Sequence, residues 1–153
     1  MLRAKTSYVS HSAHGLRFGV VAARYNPEFA DALVGTCVDA LAKAGGETKV
    51  VRVPGSFEIS AAAARLAKSG KLDCIIGLGI ILQGETSHAH LIANAVAHGL
   101  TDIAIHTGVP TVFGIVTANN LKQARVRCLG KQHNRGREAA QTAIEMARLW
   151  KTL

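Results

Sequence analysis

Four short strand-like runs, at residues 17–23, 49–53, 73–82 and 111–117, alternate with segments of helical periodicity along most of the chain. That alternation is the strongest constraint on the fold. Strand–helix–strand units bury their apolar faces most simply as a parallel sheet covered on both sides by helices. The run at 73–82 (DCIIGLGIIL) is apolar on both faces, as an interior parallel strand must be. The expected fold class is therefore α/β: a three-layer α/β/α sandwich on a four-stranded parallel sheet, with right-handed crossovers.

The helical segments carry their own punctuation. Between 27 and 44, Phe29, Leu33, Val34, Cys37, Val38 and Leu41 recur at steps of three and four, an amphipathic helix. Asn26 suits its N-cap and Pro27 its first position, and Gly45-Gly46 ends it. A second helix is expected over 56–68, and a third over 86–98, closed by Gly99. Asn120 is placed as the cap of a short helix over 121–129, and Asn134 as the cap of a last one running to 149. Residues 1–15 are polar and unpatterned and read as an N-terminal arm or an added edge strand. With 153 residues, one domain over 1–153 is expected.

Charge narrows the partners. The net charge is +8, but residues 1–120 carry ten Lys/Arg against eight Asp/Glu, whereas 121–153 carry eight against two. Part of the tail suits a solvated helical face. Arg127, Lys131, Arg135 and Arg137, however, crowd around an expected helix break and read more readily as an anion site. A nucleic-acid partner is not expected, since Trp150 is the sole aromatic in that tail. No run approaches the ~20 apolar residues of a membrane span, and the first fifteen residues lack the apolar block of a secretory signal. Cys37, Cys74 and Cys128 form no Cys-x-x-Cys pair, so a reducing, cytoplasmic setting is expected, with no metal.

In such sheets ligands bind beyond the carboxyl ends of the strands. Tyr25 and Phe57 lie there, where a flat ring could stack on a planar heterocycle. The same positions suit rings that only cover a helix start, and Phe57 alone reads that way; Phe113, in mid-strand, reads as core. Pro54-Gly55-Ser56-Phe57-Glu58 turns a strand into a helix with free N–H groups and one carboxylate. Glu58 is equally suited to favouring a helix dipole. Gln83-Gly84-Glu85-Thr86-Ser87-His88 enters the third helix as a close-approach, anion-favouring turn, without the Lys-Ser/Thr of a Walker loop. His88 could carry a proton there, or be a surface histidine. His88 and His90 stand two apart, which on a helix separates them by about 200°, a poor metal pair.

Five blocks, in order, resemble the 6,7-dimethyl-8-ribityllumazine synthase family across residues 17–149. They are Ala23-Arg24-Tyr25-Asn26; Val53-Pro54-Gly55-Ser56-Phe57-Glu58; Gly84-Glu85-Thr86-Ser87-His88; the run 109–117 (VPTVFGIVT); and Gln123-Ala124 through Arg127 to Asn134-Arg135-Gly136 and Glu138-Ala139-Ala140. The resemblance implies a flavodoxin-like fold. It also implies condensation of 5-amino-6-(D-ribitylamino)uracil with 3,4-dihydroxy-2-butanone 4-phosphate, releasing phosphate and water, with no cofactor.

By the same resemblance, Tyr25 stacks on the pyrimidine. Ser56, Phe57 and Glu58 contact its ribityl and uracil parts, with backbone at Ile80, Ile81 and Leu82. Glu85 and Thr86 hold the ketone's phosphate, and His88 carries protons. Phe113 and Arg127 come from a neighbouring subunit, Arg127 to the phosphate; Arg135 and Glu138 complete that side. The implied assembly is a homo-oligomer, a ring of five or a shell of twelve rings. The link at 128–134 carries no insertion, as in shell-forming members, and riboflavin synthase is a candidate partner. The chain departs from the family pattern at Tyr25 (usually Phe or Trp), at Ala89-His90 (usually an aromatic and an acid), at Arg135 (usually Lys) and in 128–133, which lacks two common glycines. A non-catalytic flavin- or lumazine-binding shell protein of the same fold is the alternative expectation.

Overall fold

The strand runs become β1 (Arg17–Ala23), β2 (Glu47–Val53), β3 (Cys74–Leu82) and β4 (Thr111–Ala118) in a computed structural model that describes residues 11–153. All pairs are parallel and the order is β2-β1-β3-β4. Sequential strands therefore lie on both sides of β1, and the winding reverses between β1 and β3. β3 is buried from Cys74 to Ile81, as its unbroken apolar run requires. β2 is an edge strand with most residues at least partly exposed, matching its Lys and Arg content.

Alternating strand residues feed two apolar layers. Val20, Ala22, Ile76, Leu78 and Val112 pack against α1 (Pro27–Lys43) and α5 (Arg135–Trp150). Val21, Ala23, Ile75 and Ile115 pack against α2 (Ile59–Lys68) and α3 (His88–Thr107). A third cluster, with Phe29, Leu33, Ile80, Val116 and Cys128, seats α4 (Leu121–Leu129) beside α1. The three-layer sandwich is thus the observed architecture, with a flavodoxin-like strand order.

Several expectations change. α3 runs through Gly99 and ends at Gly108, whose φ of 72° is the left-handed stop. Gly99 serves packing instead: a Cβ there would sit 2.5 Å from Ser60 Oγ and 2.8 Å from Ser60 Cβ, so its absence lets α3 close on α2. Asn26 stands at the N-cap of α1 but makes no side-chain capping bond. It adopts φ 55°, a left-handed conformation that asparagine tolerates. Asn120 and Asn134 do cap, accepting from Gln123 N–H and Arg137 N–H. The segment 56–58 is a single 3₁₀ turn preceding α2.

Of the expected N-terminal arm, residues 1–10 lie outside the described residues. The remainder is docked. Ala13 and Leu16 are buried, Ala13 N–H donates to Ala44 O at 2.8 Å, and Arg148 Nη1 donates to Ser12 O at 3.0 Å.

Candidate active site

The β1–β3 ladder ends at Ala22–Leu78, whereas β3–β4 pairing continues to Leu82–Ala118. Among the described residues, 79–82 of β3 therefore lack a strand partner on the β1 side. This opens a crevice at the carboxyl ends of the strands, where the winding reverses and ligands of such sheets bind. Ile80, Ile81 and Leu82 supply that open edge through their backbone, their side chains being buried or half-buried.

Beside the crevice lies a cavity of about 440 Å³, lined by Tyr25, Gly55, Ser56, Phe57, Glu58, His88, Leu91 and Ile92. Five expected residues thus converge from three separate chain segments: Tyr25, Ser56, Phe57, Glu58 and His88. Tyr25 is 66% and Phe57 61% exposed, so neither ring is acting as a core residue. The Tyr25 ring lies over Gly55, where an added Cβ would stand 2.8 Å from Tyr25 Cε2. Glu58 Oε2 accepts the Gly55 N–H at 2.9 Å, which fixes the carboxylate across its own turn. Leu91 and Ile92 are the lining residues that the sequence reading missed. The available signal was their i+3 and i+4 spacing from His88, which puts them on the same helix face.

His88 opens α3, and its N–H donates to Thr86 Oγ1 at 3.4 Å. Gln83 Nε2 donates to the carbonyls of Gly84 and Thr86 at 3.2 Å each, bracing the exposed loop that carries Glu85 and Thr86. Ala89 turns inward and is buried in the α2–α3 layer, while His90 is exposed. His88 and His90 thus flank an inward-facing residue, and among the described residues no group of three His, Cys, Asp or Glu could hold a metal ion.

Phe113, Arg127, Arg135 and Glu138 form a second group, none of them lining this cavity. They gather along β4, the outer strand, where α4 and α5 meet. Arg127 donates from Nη2 to Glu138 Oε2 at 2.8 Å and from Nη1 to Oε1 at 3.2 Å, and Nη1 also reaches His133 O at 3.0 Å. Arg135 donates from Nη1 to Glu138 Oε2 at 3.5 Å and from Nη2 to the Phe113 carbonyl. Partial burial pushes the Glu138 carboxyl up. The hydrogen bonds and charge of Arg127, and then of Arg135, outweigh that and hold it below the usual carboxylate value. Phe113 is half-buried against the α2–α3 layer rather than fully enclosed.

A sequence profile of the 6,7-dimethyl-8-ribityllumazine synthase family matches residues 15–151. The chain is 43% identical over 145 residues to the 6,7-dimethyl-8-ribityllumazine synthase of Aquifex aeolicus (strain VF5), covering 93% of this chain and 94% of that protein. It is 40% identical over 156 aligned positions to the protein of the same name from Nitratidesulfovibrio vulgaris (strain Miyazaki F), covering both chains in full.

Proposed function

The chain belongs to the 6,7-dimethyl-8-ribityllumazine synthase family, and on that premise we propose how its cleft carries out the condensation. The chain is a transferase of riboflavin biosynthesis. It joins 5-amino-6-(D-ribitylamino)uracil to 3,4-dihydroxy-2-butanone 4-phosphate, releasing phosphate and water. The observation that carries the residue assignment is the convergence of two exposed rings, a braced carboxylate and a histidine on one cavity.

In this reading Tyr25 and Phe57 sandwich or edge the planar pyrimidine. The Ser56 turn, Glu58 and the open backbone of Ile80, Ile81 and Leu82 take its polar edge and ribityl chain. The loop at Glu85 and Thr86, at the start of α3, faces the ketone's phosphate through backbone N–H groups and the helix dipole. Both substrates are already reactive, a nucleophilic aromatic amine and a carbonyl. Holding them together is therefore the largest contribution, up to about 7–11 kcal/mol. His88 moves protons as the amine adds to the carbonyl, water leaves and phosphate departs, a contribution of about 10²–10⁴-fold.

Arg127 neutralises the phosphate, and Phe113 closes over the ring, each supplied by a neighbouring copy. Their position along β4, outside the cavity of their own chain, supports that sharing. A closed ring of five copies is the proposed unit, and twelve such rings making a shell is its proposed extension; riboflavin synthase is a proposed partner of that shell. Cys37, Cys74 and Cys128 are all free, which suits the proposed cytoplasmic setting. Among the described residues no helix is long and apolar enough to cross a membrane. Mixing both substrates with the protein and following lumazine absorbance and fluorescence tests the reading. Formation well above the uncatalysed rate is expected, and no excess over that rate contradicts it.

A further inference from the structure

Arg135 occupies the first position of α5 and ties together two elements that are far apart in sequence. Its Nη2 donates to the Phe113 carbonyl, and its Nη1 lies 3.5 Å from Glu138 Oε2. β4 is an outer strand, so among the described residues the carbonyls along its free side have no ladder partner and accept such a bond readily. Glu138 Oε2 also receives Arg127 Nη2 at 2.8 Å. Two guanidinium groups thus share one carboxylate, and the side chains are 35% (Arg127), 28% (Arg135) and 20% (Glu138) exposed.

The charge count explains why the second guanidinium matters. Arg127 with Glu138 alone is a neutral pair, and an arriving phosphate would find the attraction of Arg127 largely cancelled. With Arg135 on the same carboxylate, the triad keeps one uncompensated positive charge. Arg127 meanwhile stays oriented between Glu138 and the His133 carbonyl, with its Nε–H and one Nη2 hydrogen still available. The shape of the side chain matters too. A guanidinium fork reaches a carbonyl and a carboxylate at once, whereas an ammonium is a point donor at the end of a flexible stem.

We propose that Arg135 is a positioning residue for the phosphate-bearing substrate, splinting β4 to α5 and sharing Glu138 so that Arg127 keeps both its charge and its orientation. Arg135 acts through Glu138 and Phe113 and does not itself grip the phosphate. The proposal rests on the condensation reading of the cleft.

Steady-state kinetics on the assembled protein test it, comparing the wild type with Arg135→Met, Arg135→Lys, Glu138→Gln and the double variant Glu138→Gln with Arg135→Met. Arg135→Met is expected to raise KM for the phosphorylated ketone about tenfold, with KM for the pyrimidine changed less than about twofold. Arg135→Lys restores only part of that loss. In the Glu138→Gln background, Arg135→Met changes the ketone KM by less than about twofold, because the carboxylate through which Arg135 orients Arg127 is no longer charged there. The same loss in both backgrounds would mean that Arg135 acts without Glu138, by binding the phosphate itself or through Phe113 alone, and would overturn the inference. So would full restoration by Arg135→Lys, or an equal rise in both KM values. Wild-type protein that forms no lumazine would instead overturn the condensation reading, before any variant is compared.

Discussion

Arg127 and Glu138 are joined by two parallel hydrogen bonds, of 2.8 and 3.2 Å, across the elbow between α4 and α5. A forked pair of this kind fixes geometry as well as charge. It also couples the elbow to pH. Burial alone would raise the Glu138 carboxyl, but the bonds and charge of Arg127, with those of Arg135, leave it lowered. A carboxylate whose folded value is lowered contributes stability that is fully present above its unfolded value. That stability is lost as pH falls through the folded one. Thermal melts of Glu138→Gln against wild type should therefore differ most at neutral pH and converge as pH drops below the ordinary carboxylate range. A difference that persists unchanged at the acid end would contradict this.

Arg127→Ala should discriminate between the substrates. Losing a charge-assisted contact to the phosphate should raise KM for the phosphorylated ketone about 10–100-fold, while the pyrimidine KM stays close to wild type. Equal loss for both would mean that Arg127 does not serve the phosphate, and that the phosphate site is misplaced.

Gly99 gives a stability test in which two effects oppose each other. Alanine is the better helix former by about 1 kcal/mol. The added methyl, however, would press on Ser60 Oγ and Cβ at 2.5 and 2.8 Å, an overpacking that costs about 1–3 kcal/mol. Packing is expected to win, so Gly99→Ala should lower the melting temperature. A raised melting temperature would show that α2 and α3 can separate cheaply.

The three thiols should be inert in the native protein. Burial pushes Cys37 up to about 12, and raises Cys74 as well. At Cys128 burial also dominates, with Arg127 pulling the other way, leaving it at about 11. At pH 8 the reactive thiolate fraction is then below about one in a thousand at any of them. A thiol reagent should label none in the folded protein and all three in denaturant. Rapid labelling of a native cysteine would contradict the packing described for β3, α1 or α4.

Much of this architecture is legible in the residues because local and global signals agree. β1 is bounded by Arg17 and by the Arg24-Tyr25-Asn26-Pro27 turn, and its observed limits match those expected. The apolar run of β3 announces an interior strand for the same reason. Gly99 misleads because glycine has two physical uses. Its position suggests a helix stop, whereas the helix needs it as a gap for Ser60, and Gly108 supplies the stop. Asn26 misleads similarly, its conformational tolerance being used in place of its capping oxygen.

At the site, Tyr25, Ser56, Phe57, Glu58 and His88 could be gathered by one rule, that strand ends meet where the winding reverses. Leu91 and Ile92 required the helix phase to be carried one turn further. No pattern of spacing reveals that Arg135 reaches the Phe113 carbonyl, because that contact depends on β4 being the outer strand.

In the proposed assembly each complete site draws its cavity from one copy and Arg127 from another, and mixed assembly distinguishes this from a site within one chain. His88→Ala and Arg127→Ala chains are co-assembled in equal amounts and assayed for lumazine formation at ketone concentrations near the wild-type KM or below, where each variant alone is expected to lose most activity. If the two groups serve a site between adjacent copies, random mixing leaves about one site in four with both wild-type groups, and activity recovers to about a quarter of wild type. If both groups serve a site within one chain, every site carries one defect, and the mixture stays as inactive as its parents.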